Sequence, residues 1–139
     1  MRDVRSLFAD YSTYHQTSGN KLFHRLGIPL IVLSGLGMLA RAGVGHLNAA
    51  VALILVSQIV YFMLEWRLAV AMLIVSAGFY FAGAAIPIWI NIALFVLGWI
   101  FQFIGHSVYE KKSPAFLTNI LHLLVGPLWI LNDVVPVVK

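Results

Sequence analysis

Cysteine is absent from the chain and charge is scarce. The first absence removes disulfides, iron–sulfur clusters and thiolate nucleophiles, and leaves the redox compartment undecided. The second decides more. Only 10% of the 139 residues are charged and 61% are hydrophobic, against roughly 25% and 45–50% in soluble domains, so a soluble fold is excluded. No cleavable signal peptide is expected, because the first apolar run follows a polar, aromatic-containing segment of more than 20 residues. Nucleic acid is not an expected partner either. The net charge is +4, but the basic residues sit at the ends of apolar runs and form no stripe.

What fills the space between those basic residues is a set of uncharged runs. They cover residues 26–40, 42–64, 68–109 and 114–132, which is 15, 23, 42 and 19 residues. About 20 apolar residues cross a hydrocarbon core of roughly 30 Å. A straight helix of 42 would rise about 63 Å, so the long run is two spans that break at Pro87. The expected fold is therefore an all-α integral membrane protein, a single membrane domain over residues 1–139, with five transmembrane helices near 26–40, 48–64, 68–84, 88–104 and 115–131. Residues 1–20 are read as an interfacial helix and turn, and 21–139 as the bundle. In the first helix Val4, Leu7, Phe8, Tyr11 and Tyr14 recur at spacings of three and four, the pattern of an amphipathic helix in the membrane interface. Asn20 is the expected N-cap of a helix starting at Lys21. Arg2, Arg5, Lys21, Arg25, Arg67, Lys111 and Lys112 then fall on one side and Arg41 and Lys139 on the other. The positive-inside rule places the N-terminus in the cytoplasm, at a bacterial inner membrane or, in a eukaryote, at the endoplasmic reticulum.

This topology sorts the five histidines. His15, His24 and His106 lie at the cytoplasmic rim, His122 lies about two turns into the last span from the same side, and His46 is on the opposite face. Imidazole is the commonest metal ligand among side chains. Local spacings add polar neighbours: Gln102, His106 and Glu110 at i, i+4 and i+8, Asn119 three before His122, and Asn20 and Tyr11 four before His24 and His15. Polar rows are costly in a membrane helix unless they meet protein partners or serve a function. Taken singly, a rim histidine is more often an interfacial anchor or a packing residue than a ligand, and Gly35 and Gly37 read more readily as points of close helix contact than as a site. Three readings stay open on these residues alone: a metal-dependent enzyme, a b-type haem protein with two axial histidines, and a non-catalytic helix-bundle module.

Two ordered blocks narrow the choice. Tyr11-x2-Tyr14-His15-x4-Asn20-x3-His24-x4-Pro29, together with Gly98-Trp99-Ile100-Phe101-Gln102-Phe103-Ile104-Gly105-His106-x3-Glu110-Lys111-Lys112-x-Pro114-Ala115-x3-Asn119, resembles the 2-hydroxy fatty acid dioxygenases. The resemblance implies an Fe(II)-dependent membrane enzyme that uses O2 to shorten a 2-hydroxy fatty acid by one carbon. It also implies His15, His24 and His106 as metal ligands, with Tyr11, Asn20, Gln102 and Glu110 as the accompanying catalytic residues. This chain departs from the fungal members of the family in carrying Gln16 where they have a second histidine, His122 where a glutamine is usual, and a very short C-terminal tail. His122 is thus either a fourth ligand or the occupant of the glutamine's place beside the metal. The chemistry suits such a set, since three neutral imidazoles leave three positions of an octahedral iron and a 2-hydroxy carboxylate can take two of them. Arg25, Lys111 and Lys112 are the cations placed to neutralise the substrate head group, with the bilayer as reservoir. Whether the chain forms a homo-oligomer is left open by the sequence.

Overall fold

A computed structural model describes residues 3–111 and 121–138 of the chain. Its elements are the helices α1 (Val4–Thr13), α2 (Ser18–Leu39), α3 (Ala49–Leu64), α4 (Trp66–Ala85), α5 (Ile88–Ile104) and α6 (His122–Val134), with a minimal hairpin, β1 (Gly43–Val44) and β2 (Leu47–Asn48), between α2 and α3. Side-chain caps fix most helix starts. Asp3 accepts from the Arg5 N–H, Asn48 from Val51 and Glu65 from Arg67, each satisfying a backbone donor the helix cannot. Helix α2 begins earlier than expected. Its cap is Thr17, whose hydroxyl accepts from the Asn20 N–H, which leaves the Asn20 side chain free for other work. Pro29 is accommodated inside that helix.

Helix α2 is the axis of the bundle and packs on α5 and α4 through glycines. A Cβ built on Gly98 would sit 2.9 Å from the Gly27 carbonyl oxygen, and one on Gly83 would sit 2.9 Å from the Gly37 Cα, so these backbones touch where no larger residue fits. The bundle is apolar outside and partly polar inside. Leu55, Ile59, Ile74, Phe81, Ile92 and Ile100 are exposed, while Ser34, Gln58, Ser76 and Asn91 are buried. The Asn91 amide donates to the Gly83 carbonyl at 2.9 Å, bracing the α4–α5 bend.

Among the described residues, three stretches are long and apolar enough to cross a membrane: Ser18–Leu39, Trp66–Ala85 and Ile88–Glu110. Helix α3 is apolar but shorter, at 16 residues. The fifth expected crossing, 115–131, falls partly on residues 112–120, outside the described residues. The part that is described does not carry the chain to the far end. Helix α6 has 13 residues, about 20 Å of rise. His122 at its start meets Asp10, and Asp133 near its end pairs with Arg25, so both ends contact the end of the bundle that carries α1. The tail then folds back, with Asn132 accepting from the Val137 and Val138 N–H groups.

Helix α1 lies at that same end. Its apolar face is not left for lipid: Val4, Leu7, Phe8 and Tyr11 form one core with Val125 and Leu128 of α6 and with Tyr61, Leu68, Ala69 and Met72 around the α3–α4 turn.

Candidate metal centre

Helix α5 ends in a change of helical form. Residues Gly105–Glu110 continue it as a π-helical segment, stopped at Lys111, whose φ of 57° is left-handed. Such insertions recur at functional sites. This one turns His106 toward α2, and Gly105 is the residue that permits the approach, since a Cβ there would collide with the Asn20 side-chain oxygen.

Three histidines meet at this point. The Nε2 atoms of His15 and His24 are 2.9 Å apart and those of His106 and His24 are 3.1 Å apart. All three side chains are at most 2% exposed, and each offers a ligand atom within 4.8 Å of the others. The outer faces of two rings are already committed. His15 donates from Nδ1 to the Tyr11 carbonyl at 2.7 Å, and His24 donates from Nδ1 to the Asn20 carbonyl at 3.0 Å. A carbonyl oxygen only accepts, so the proton of each neutral ring is on Nδ1 and each Nε2 presents a bare lone pair. Burial keeps His15 neutral, pushing its pKa down to about 4 against the opposing pull of the Tyr11 carbonyl and Glu110. Two lone pairs therefore face each other at 2.9 Å in a buried site, an arrangement that calls for a cation between them. Donors at about 2.1 Å from a metal and at right angles stand about 3.0 Å apart, so the donor set fits a metal with adjacent coordination sites. The same spacing leaves no room for a macrocycle between any of these bonded nitrogen pairs, which counts against the haem reading.

The supporting residues come from all around the cluster. The Tyr11 ring stacks on His15 at 4.0 Å and 10°, and burial pushes its phenol pKa up. The Glu110 carboxylate accepts from the Thr17 N–H at 2.6 Å and from the Thr17 hydroxyl at 3.2 Å, binding the π segment to the start of α2. Asn20 donates to the Tyr14 carbonyl at 3.1 Å, tying the α1–α2 connection that presents His15. Gln102 is buried beside the cluster, its amide 3.4 Å from the Phe23 carbonyl.

His122 is near but is not one of the three. Its Nε2 meets the Asp10 carboxylate at 3.0 Å, and its ring lies 5.4 Å from that of Tyr11. The sequence reading missed Asp10, and no local spacing could have shown it, because the pair is 112 residues apart. Thr17 was missed as well, being read only as part of a turn. Of the three expected substrate cations, Arg25 is at the rim, 3.2 Å from Asp133 in a half-exposed ion pair. Lys111 is exposed at the end of the π segment, and Lys112 and Asn119 lie outside the described residues. His46 sits on the hairpin beyond the far end of α2, its Nδ1 2.7 Å from the Tyr80 hydroxyl.

A cavity of about 110 Å³ opens beside the three rings, lined on its polar side by Tyr11, Gln102 and His122 and on its apolar side by Ile28, Ile31 and Trp99. Fold and site together define an apolar helical bundle with a buried three-histidine centre at one end of an internal cavity. Over residues 1–136 the chain matches the Mpo1-like family, described as 2-hydroxy-palmitic acid dioxygenase Mpo1-like, and it belongs to that family. It is similar to the 2-hydroxy-palmitic acid dioxygenase MPO1 of Saccharomyces cerevisiae, at 30% identity over 128 residues that span 88% of this chain and 74% of the yeast protein. No solved structure matches it.

Proposed function

We propose that this protein is an Fe(II)-dependent dioxygenase of the membrane that converts a 2-hydroxy fatty acid and O2 into the fatty acid one carbon shorter. The observation that carries the reading is the pair of bare, buried Nε2 atoms of His15 and His24, joined by His106 as third donor. The yeast relative, by its name, acts on a 2-hydroxy-palmitic acid, which supports a 2-hydroxy acid as the substrate here. The reaction balances without a further reductant: R–CH(OH)–COOH and O2 give R–COOH, CO2 and H2O. The bond between C1 and C2 breaks, and the substrate supplies all four electrons.

His15, His24 and His106 would hold the iron, which when bound supplies the O2-reducing chemistry and a Lewis-acid seat for the substrate's carboxylate and hydroxyl oxygens. The remaining residues orient. Tyr11 fixes the plane of the His15 ring, Asn20 holds the α1–α2 connection that presents His15, Glu110 locks the start of α2 to the π segment, and Gln102 and His122 present polar groups beside the substrate oxygens. Asp10 keeps His122 turned into place. Arg25, Lys111 and Lys112 set a positive rim for the carboxylate.

The same reading assigns a topology. Helices α2 to α5 make four crossings, and α1 and α6 cap the cytoplasmic end. Among the described residues Arg5, Lys21, Arg25, Arg67 and Lys111 then share that end and only Arg41 lies opposite, as the positive-inside rule requires. The chain forms one membrane domain.

The test is direct. Purified protein loaded with Fe(II) should consume a 2-hydroxy acid and O2 in equal amounts and release the acid one carbon shorter, while the plain acid of equal length should not turn over. Equal turnover of both acids would refute the role of the 2-hydroxyl. Failure to bind iron would refute the centre itself.

A further inference from the structure

A second cavity, of about 240 Å³, continues from the first. Ile31, Val32, Leu123 and Pro127 line both, so the two share walls at the depth of the fourth turn of α2. From there the larger cavity follows one stripe of α2, Ile31, Gly35 and Leu39, each four residues on from the last, and faces Leu53, Ser57 and Tyr61 at the same periodicity on α3. Phe95 of α5 and Met72 of α4 close its sides.

The chemistry of this space is that of a hydrocarbon site. Its lining is mainly apolar, and two of its hydroxyls are already used inside the protein: Tyr61 donates to the Leu124 carbonyl at 2.8 Å, and Ser57 donates to the Leu53 carbonyl of its own helix. A polar ligand would find little to pair with, whereas a methylene chain needs only contact and exclusion of water.

We propose that this cavity holds the acyl chain of the substrate and that Gly35 sets the length of chain it admits. The inference rests on the dioxygenase reading for its head group and goes beyond it in assigning where the tail lies. Ile28 to Leu39 is eleven residues, about 16 Å along the helix axis. An extended chain advances about 1.25 Å per methylene, the projection of a 1.5 Å carbon–carbon bond, so the space takes roughly 13 carbons beyond the head. Gly35 lies seven residues from Ile28, a rise of about 10 Å, or about eight carbons along the chain. The missing side chain there is what keeps the passage open. A Cβ at Gly35 would first meet the Phe95 ring at 3.7 Å, so a larger residue can be introduced without breaking the α2–α5 contact, and its bulk would fall in the cavity.

The experiment compares wild type, Gly35→Leu, Leu39→Ala and, as a control on an exposed face with nothing within 4 Å of its Cβ position, Gly78→Leu. Each is assayed on a ladder of saturated 2-hydroxy acids. Gly35→Leu should lower kcat/KM by about tenfold or more for chains longer than about ten carbons and leave shorter ones little changed. Leu39→Ala should move the optimum to longer chains, and Gly78→Leu should match wild type. In parallel, a saturated fatty acid bearing a diazirine at its methyl end is photolysed with each protein. Labelling of wild type should map to Leu36 and Leu39 and should vanish in Gly35→Leu. A length profile and labelling pattern unchanged by Gly35→Leu overturn the proposal, as does labelling confined to the outward residues of α3 and α4, which would mark bilayer lipid only. If wild type consumes no 2-hydroxy acid while the label still maps to these two leucines, the dioxygenase reading falls and the acyl site stands.

Discussion

Replacing His24 by leucine separates a metal centre from a packed cluster of histidines. His24 is the middle ring, with its Nε2 2.9 Å from that of His15 and 3.1 Å from that of His106. Without metal, the substitution removes one buried acceptor that faces another, which relieves about 1–3 kcal/mol of unsatisfied polar cost. It also loses the Nδ1 bond to the Asn20 carbonyl, worth about 1 kcal/mol, and it keeps similar volume, so the packing penalty is small. The metal-free variant should therefore be as stable as metal-free wild type or slightly more stable, although an almost fully buried residue has been changed. With metal the order reverses. A free Fe(II) concentration 100 times Kd stabilises the native state by about 2.7 kcal/mol, and the variant forfeits this. The assay is thermal unfolding in detergent, under anoxia, with and without Fe(II). Wild type should rise by several degrees and His24→Leu should not move. If the metal-free variant melts far below metal-free wild type and both gain equally from iron, the three rings are held by the protein alone and the argument from facing lone pairs is wrong.

Three further outcomes follow from the same contacts. Glu110→Gln weakens the charged bond to the Thr17 N–H and should lower iron affinity about 10- to 100-fold, measured by chelator competition, with little change in fold by circular dichroism. Asp10→Asn should leave iron content intact and reduce kcat/KM, because it disturbs the orientation of His122 and no ligand; loss of iron would instead make His122 part of the centre. In metal-stripped protein the depressed pKa of His15, about 4 against 6.5 unfolded, means that the unfolded chain binds more protons across that interval. The share of stability that His15 contributes should thus be fully present above about pH 6.5 and be lost as the pH falls toward 4, and a His15→Leu variant should show a shallower slope than wild type.

Much of the bundle could be read from runs and breaks. Four uncharged stretches and Pro87 are local features, and they locate α2 to α5 closely. The start of α2 was less legible, because Thr17, Ser18 and Asn20 are all good capping residues and only tertiary contact chooses Thr17, whose N–H is also held by Glu110. Helix α6 was less legible for a related reason. Its composition is that of a span, but a helix that packs across other apolar helices needs the same residues, and only the contacts of His122 and Asp133 show that it stays at one end. The gathering of His15, His24 and His106 was legible, although His122 was counted with them, because each carries polar neighbours at helical spacing. The π segment and the Asp10–His122 pair were not, since one is a shift of hydrogen-bond register that no residue type announces and the other joins opposite ends of the chain.

The three histidines of the proposed centre are held in different ways, and this bears on how the centre is completed. His24 and His106 ride on helices locked together through Gly27 and Gly98. His15 lies in the short connection after α1, and its ring is placed by two contacts with Tyr11, the backbone bond and the stack. Tyr11 in turn is placed by the core that Val4, Leu7 and Phe8 share with α6 and the α3–α4 turn, reinforced by the Trp129 indole donating to the Ser12 hydroxyl at 3.2 Å. The position of His15 thus depends on the packing of α1. An amphipathic helix that spends its apolar face on protein instead of lipid closes this end of the bundle. On the proposed function, a long apolar substrate then reaches the centre between the helices, from the bilayer that already dissolves it.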